Sequence, residues 1–328
     1  MNKNWLFRMA AILVMIFFLP LYTGAAEEMM PPSPEPPNAN MAKPTPAPTE
    51  IPTETLIDHI NQPKLYPRFY FAKGRKLLEI WIPNIKDADA AILTYDGEVW
   101  MIDCGDVQDG ERCAAIFRQI GISRVDRMFN SHPHHDHLNG LAVVDEAAKV
   151  GELLICFSPT STDSAKRMTR VTEQRGIPVA EYHEGDRFTM GDGAVELLIL
   201  QNAEGNFLDM NNRSAVTKIT YGQRTILFTA DMEQPGQEVM LNRVGPEVLK
   251  CDIIKYPHHA KSDMFSPFYD ATGARLAVVT SVEGRGDNGQ IALAESELPA
   301  VYTYVEGMFT HLVTDGEYWL CERVPAKE

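Results

Sequence analysis

The chain has 328 residues, of which 45% are hydrophobic, so it is long enough for one large domain or two small ones with a sizeable core. It carries 45 acidic and 30 basic residues, which gives a formal net charge of −15 at pH 7. This balance argues against a broad basic surface for nucleic acid or anionic lipid, and we expect no stable nucleic-acid complex. Nothing in the sequence predicts a particular oligomeric state.

Residues 1–26 are typical of a signal peptide. Two basic residues precede an apolar run at residues 10–19, and small residues at 24–26 provide a cleavage point. The run is short for a transmembrane helix and is closed by Pro20. We therefore expect a secreted or cell-surface protein that touches the membrane only if the signal stays uncleaved.

Residues 27–63 predict a proline-rich linker. Prolines recur through residues 31–37 and 44–48, a composition that continues neither a helix nor a strand ladder and favours an extended spacer. The spacer could hold the next domain away from a membrane or wall, or be a disordered tail with no dedicated role. The globular domain is predicted to span residues 64–328.

The first half of that domain alternates strands and helices. Apolar patterning predicts a strand at residues 77–82 and a hairpin over 90–102 with an Asp96-Gly97 turn. Helical spacing predicts a helix at residues 112–120 that ends at Gly121. The elements predicted next are a strand at 125–129, a helix with Leu138, Leu141, Val144 and Ala148 on one face, a strand at 153–157, a helix at 163–175, and strands at 187–190 and 195–200.

The loop after the 125–129 strand concentrates histidines, four of the chain's nine within the six residues from His132 to His137. Imidazole and carboxylate groups bind zinc and similar divalent ions, and each is costly to bury without a partner. The spacing predicts two adjacent metal sites, with His132 and His134 facing one ion and Asp136 and His137 facing the other. The alternative is a solvated polar loop that happens to be rich in histidine.

This His-x-His-x-Asp-His run, between a short apolar strand and a helix, resembles the signature of the metallo-β-lactamase fold. Asn139 stands where that family often has the first of two glycines, and Gly140 keeps the second. The resemblance implies an α/β (α+β) fold, a four-layer αββα sandwich of helix, sheet, sheet and helix.

Three further motifs extend the resemblance. Asp103 ends a strand like the family's Asp-x-Gly and would orient a ligand histidine, or merely cap a turn. Asp231 ends an apolar strand and resembles the carboxylate that bridges both ions, although it could also cap a helix at residues 233–243. The late His258-His259 pair would supply His259 to the second site and place His258 in the substrate cleft, unless both are simple surface residues.

The Asn-x-x-Ser run at residues 211–214 is followed by two strands, Asp231 and the His258-His259 pair. This order resembles that in the metallo-β-lactamase-like domain of late-competence DNA-uptake proteins and in secreted phosphorylcholine esterases. It makes Asn212 and Ser214 candidates for supporting the site or touching the substrate. Two departures stand out. Ala260-Lys261 replaces the usual Gly-Ser, and no clear third histidine completes the first site, where His183, Asn212 or water could stand.

The resemblance implies an exported hydrolase with two zinc ions, or manganese in their place, and a metal-bound hydroxide as nucleophile. Asp136 and His258 are the predicted catalytic residues. The expected substrate is a small molecule or polymer with a phosphodiester or related phosphate linkage. A β-lactam or ester hydrolase remains an alternative, as does a non-catalytic, metal-stabilised module that binds a surface or wall polymer. A role in DNA uptake would require a basic stripe, which the acidic composition disfavours.

Overall fold

The computed structural model describes residues 74–201 and 207–327, apart from the side chain of Gln201. The predicted signal peptide, linker and domain start lie before residue 74, outside the described residues, and stay predictions. None of the helices in the described ranges has the length and apolar character of a membrane span.

The described residues contain seventeen strands. In chain order they are β1 (Leu78–Ile82), β2 (Ala90–Tyr95), β3 (Glu98–Cys104), β4 (Arg124–Val125), β5 (Arg127–Asn130), β6 (Lys149–Val150), β7 (Leu153–Ile155), β8 (Val179–Glu181), β9 (Arg187–Met190), β10 (Val195–Gln201), β11 (Ala215–Tyr221), β12 (Arg224–Phe228), β13 (Ile253–Lys255), β14 (Leu276–Val279), β15 (Ala300–Tyr302), β16 (Met308–Thr314) and β17 (Trp319–Pro325).

The helices connect these strands. They are α1 (Val107–Ile120), α2 (His135–Leu138), α3 (Leu141–Ala147), α4 (Asp163–Arg175), α5 (Gln234–Val244), α6 (Pro246–Leu249), α7 (Ser266–Thr272) and α8 (Asn288–Glu295), with a 3-10 turn at Pro257–Ala260.

Two large sheets form the middle of the domain. The first has the strand order β17-β16-β1-β2-β3-β5-β7-β8, and the second has the order β15-β14-β13-β12-β11-β10-β9. Both sheets are antiparallel in one half and parallel in the other, with parallel pairing from β3 to β8 and from β12 to β15. A short β4-β6 pair lies apart from them.

Along the strands of the second sheet, successive side chains point alternately into two different apolar clusters. Ile226 and Phe228 of β12 pack into the same cluster as the first sheet, whereas Leu227 between them packs with Met240 of α5 and Phe268 of α7. Side chains on one strand alternate between faces, so the second sheet is covered by the first sheet on one side and by helices on the other. Helices α1, α3 and α4 add apolar residues to the first sheet's cluster. The predicted four-layer sandwich is confirmed.

Several element bounds differ from the sequence prediction for local reasons. Helix α1 begins at Val107, a turn earlier than predicted, because Asp106 and Asp109 form a reciprocal capping box at its start. The single strand predicted at 125–129 is divided between β4 and β5. The helix predicted after the histidine loop is interrupted between α2 and α3 at Asn139 and Gly140.

Gly140 lies at that interruption because the chain passes very close to the end of β3. A Cβ atom at this position would stand 2.1 Å from the carbonyl oxygen of Cys104. The Gly140 amide also donates to the Gly105 carbonyl at 2.9 Å. The glycine therefore lets the histidine loop rest directly on the strand that carries Asp103.

We expect Gly140→Ala to lower the free energy of unfolding by about 3 kcal/mol, because the added methyl meets backbone rather than a movable side chain. Gly121→Ala is the matched control: its φ of +80° is left-handed but its surroundings are open, so about 1 kcal/mol is expected. Chemical denaturation of both variants measures the difference. An equal or smaller loss for Gly140→Ala would contradict the close-contact explanation.

Candidate metal centre

The carboxylate of Asp231 lies at the middle of a cluster of histidines. The chain leaves β12 at Phe228 and places Asp231 three residues later, 1% exposed. Its Oδ2 atom lies 3.3 Å from Nε2 of His137 and 3.3 Å from Nε2 of His259. The same oxygen is 4.0 Å from Nε2 of His132 and 3.8 Å from Nε2 of His258. One carboxylate oxygen thus faces four imidazole nitrogens.

Asp136, His137, Asp231 and His259 form the more complete candidate site. One ligand atom from each of them lies within 4.8 Å of all the others. Zinc–nitrogen bonds of ~2.0–2.1 Å in a tetrahedral site place two ligand atoms about 3.3 Å apart, which is the separation from Asp231 to each of these histidines. The Nε2 atoms of His137 and His259 are buried and have no hydrogen-bond partner among the described residues. Orphaned nitrogens that converge in this way fit a divalent metal ion.

His132 and His134 form a second group beside Asp231. Nε2 of His132 and Nδ1 of His134 are 3.0 Å apart, with their rings edge to face. Together with Asp231 they offer three ligand atoms for a first ion. His135, the remaining histidine of the loop, is exposed and faces Asp106 instead.

The residues considered for the missing ligand of the first site lie elsewhere. His183 is 73% exposed at its side chain and faces Glu181 and Asp186. The Asn212 amide oxygen already accepts a hydrogen bond from the Gly236 amide at 2.8 Å, so Asn212 supports the start of α5. Neither is brought into the histidine cluster.

Ser214 is the other residue predicted near this position. Its hydroxyl is fully buried and has no hydrogen-bond partner among the described residues. The next amide, of Ala215, donates to the Ser131 carbonyl at the start of the histidine loop. Ser214 therefore lies beside the loop that carries His132, as the predicted supporting role requires.

Asp103 holds the histidine loop in place through hydrogen bonds to residues at its start and to His137. Its carboxylate accepts hydrogen bonds from the Ser131 amide at 2.7 Å, from the Ser131 hydroxyl at 2.7 Å and from the Asn130 side chain at 2.9 Å. It also lies 2.8 Å from Nδ1 of His137. A proton held on Nδ1 by this contact leaves the lone pair of Nε2 directed at the cluster. This geometry is that of the predicted orienting residue.

Two residues of the site were missed by the sequence reading, Asp89 and Lys255. Asp89 accepts a hydrogen bond from the Thr280 hydroxyl at 2.7 Å and lies 3.3 Å from Nδ1 of His259. Lys255 forms an ion pair with Asp89 and is only 2% exposed. A signal for Lys255 was present, since it follows the buried Ile253 by two positions on β13 and shares its inward face.

The histidine pair is carried on a strained turn. His258, His259 and Ala260 have φ values of 48°, 54° and 61°, in the left-handed region that non-glycine residues rarely occupy. The turn directs His259 inward, where its side chain is fully buried, and leaves His258 19% exposed. The preference for His259 as the ligand agrees with this placement. Strained backbone of this kind concentrates at functional sites.

The electrostatics of the cluster follow from burial and from Asp231. Burial disfavours charge on His259, but Asp231 and Asp89 outweigh it and raise its pKa to about 9. Burial likewise disfavours charge on His137, but Asp231 and Asp103 outweigh it and raise the pKa of His137 well above its usual range. Burial and the neighbouring His137 hold the pKa of His132 well below its ordinary value. Metal ions would therefore replace two protons that otherwise balance Asp231.

We expect Asp231→Asn to reduce bound metal from about two ions per chain to less than one, because both groups of histidines share this carboxylate. Elemental analysis after dialysis measures the change. His183→Ala removes an exposed histidine outside the cluster and should keep the full metal content. Retention of two ions by Asp231→Asn would contradict the shared site.

The chain is similar to several known proteins in sequence and in fold. The chain is 28% identical over 166 residues to the uncharacterized protein YcaI of Escherichia coli (strain K12), covering 51% of this chain and 18% of that protein. It is 22% identical over 161 residues to competence protein ComA of Neisseria gonorrhoeae, covering 49% of this chain and 20% of ComA. The matched region thus spans only about a fifth of these relatives.

Among solved structures, the metallo-beta-lactamase fold protein YhfI from Bacillus subtilis superimposes with a TM-score of 0.46 at 14% identity, covering 69% of this chain and 95% of YhfI. The family model of the metallo-beta-lactamase superfamily matches residues 87–266. Because that match extends over more than half of the chain and takes in the histidine loop, Asp231 and His259, the chain belongs to the metallo-beta-lactamase superfamily, a family of metal-binding hydrolases.

Proposed function

We propose that this protein is an exported hydrolase that uses two zinc ions, or manganese in their place, to cleave a phosphodiester or a related phosphate linkage. The observation that carries the proposal is the position of Asp231 Oδ2 between two groups of histidines. Two-metal sites suit phosphate chemistry because paired ions stabilise both the attacking and the leaving oxygen of an in-line displacement and lower the pKa of water.

Different described residues would hold each ion. His132 and His134 would hold the first together with Asp231, and Asp136, His137 and His259 would hold the second together with the same carboxylate. Asp136 adds a negative charge beside His259, since its Oδ2 lies 3.7 Å from Nε2 of that residue. In the catalytic role proposed for it, the Asp136 carboxylate would hold the second ion beside the substrate.

His258 is the residue placed to move a proton. Its Nε2 lies 3.8 Å from Asp231 Oδ2, and its Nδ1 lies 3.1 Å from Glu233 Oε1. Burial lowers the pKa of His258 despite the opposing charge of Asp231, so the ring is largely neutral at pH 7. A partly exposed imidazole between the cluster and solvent can accept a proton and pass it to a leaving oxygen.

A recess beside the first site supports an anionic substrate. It is about 90 Å³ in volume and opens on His132, and its other lining residues include Ser158, Ser161 and the exposed Arg213. Hydroxyl and guanidinium groups are suitable donors to phosphate oxygens. The net charge of −15 favours a small molecule or a surface polymer over DNA as the carrier of that phosphate.

Export is supported by residues 1–26, whose composition is that of a signal peptide.

A second candidate function is a metal-stabilised, non-catalytic module that binds a surface or wall polymer. It is favoured by the first site, to which the described residues contribute no third histidine.

We expect the purified chain to hydrolyse bis(p-nitrophenyl) phosphate, to lose this activity on chelation and to regain it with zinc or manganese. Asp136→Ala should lower the rate by about 100-fold or more, because it removes a ligand next to the reacting groups. Asp163→Ala, at an exposed carboxylate on α4, is the matched control and should leave the rate unchanged.

Release of p-nitrophenol measures these rates, with a β-lactam and a carboxylic ester tested in parallel. Diester hydrolysis that survives both the chelator and Asp136→Ala would contradict the proposal. Activity only on the β-lactam or the ester would replace the substrate class, and metal binding with no hydrolysis would favour the binding module.

A further inference from the structure

A buried ammonium group lies directly behind the metal centre. Lys255, at the end of β13, is 2% exposed, and no other lysine or arginine in the described part of the chain is as fully buried. Taking a charged amine out of water is costly unless it is paired and hydrogen-bonded. Apolar packing alone therefore does not explain why a charged lysine is buried at this position.

The partners of Lys255 hold its ammonium in one place. It forms an ion pair with Asp89 Oδ2 and donates a hydrogen bond to the Ala230 carbonyl at 2.9 Å. That carbonyl also accepts a hydrogen bond from the His258 amide at 3.0 Å. Lys255 is thus tied both to the residue before Asp231 and, through Ala230, to the turn that carries the histidine pair.

Asp89 connects the same ammonium to the second metal position. Its Oδ1 atom lies 3.3 Å from Nδ1 of His259 and accepts the Thr280 hydroxyl at 2.7 Å. Its amide donates to the Asp136 carbonyl at 3.0 Å. Asp89 therefore contacts the Asp136 backbone through its amide, and the His259 ring and Lys255 through its carboxylate.

The two oxygens of Asp231 have different surroundings. Oδ2 faces the four imidazole nitrogens, whereas Oδ1 faces the Lys255 Nζ atom at 3.7 Å. Within residues 74–201 and 207–327, Oδ1 has no hydrogen-bond partner. A carboxylate that turned both oxygens to one ion would chelate that ion and weaken its hold on the other. The ammonium attracts Oδ1 and so opposes that rotation.

We propose that Lys255 is a positioning residue that holds Oδ1 of Asp231 away from the ions, so that Oδ2 alone is shared between them, and that Asp89 fixes Lys255 and His259 together. This inference rests on the proposed two-metal site and is independent of the substrate. It assigns to Lys255 an effect on how many ions are held, beyond any effect on folding.

The test is a competition titration of zinc into the metal-free full chain and its Lys255→Met and Lys255→Gln variants, with thermal unfolding measured alongside. The wild type should bind two ions. In both variants, the affinity for one ion should fall by about 10- to 100-fold while the other ion is retained, which is the usual effect of removing an outer partner of a metal ligand. Asp89→Asn should show the same selective loss.

Lys218→Met is the matched control, because Lys218 is a partly buried lysine whose Nζ donates to the Val248 carbonyl at 2.7 Å and touches no candidate ligand. It should bind both ions as the wild type does. Lys255→Gln keeps a donor toward the Ala230 carbonyl and serves if Lys255→Met fails to fold.

A folded Lys255 variant that binds two ions with wild-type affinities would overturn the inference and leave the proposed function intact. Equal weakening of both ions in proportion to lost stability would also overturn it, since that is the behaviour of a purely structural lysine. A wild-type chain that binds fewer than two ions would overturn the proposed two-metal site itself.

Discussion

The burial of the Asp231 carboxylate is the constraint on which the rest of this domain's site depends. An ionised carboxylate removed from water is stable only with positive charge beside it. In the metal-free chain His137 and His259 supply that charge, and their pKa values are raised accordingly. Bound ions would supply it instead. Either arrangement requires the strand ends that carry these three residues to keep a fixed separation.

The sandwich meets that requirement with strained connections between rigid sheets. Five of the seven non-glycine residues with positive φ in the described ranges belong to the site or adjoin it, namely Asp103, Ala230, His258, His259 and Ala260. Such conformations persist only where the surrounding structure over-determines them. Here the apolar core between the two sheets provides the stability that holds them, and the hydrogen bonds of Asp103 and Asp89 fix the side chains.

Much of the site was predictable because its ligands lie close together in sequence or at the ends of apolar strands. The spacing of His132 to His137 indicated two ions, and Asp231 and His259 each follow a recognisable strand. Asp89 was missed because no local pattern joins it to residues that it meets only when the two sheets pack. The inward position of Lys255 on β13 was readable from the sequence, but its contact with Asp89 was not. The interruption at Gly140 was missed for the same reason, since its cause is the Cys104 carbonyl on another strand.

The central claim is that one oxygen of Asp231 serves two metal ions. Anomalous diffraction from crystals of the zinc-loaded protein tests it most directly. We predict two peaks about 3.5–4 Å apart, one beside His132 and His134 and the other beside His137 and His259, with Asp231 Oδ2 between them. A single peak, or two peaks with both oxygens of Asp231 bound to one ion, would contradict it.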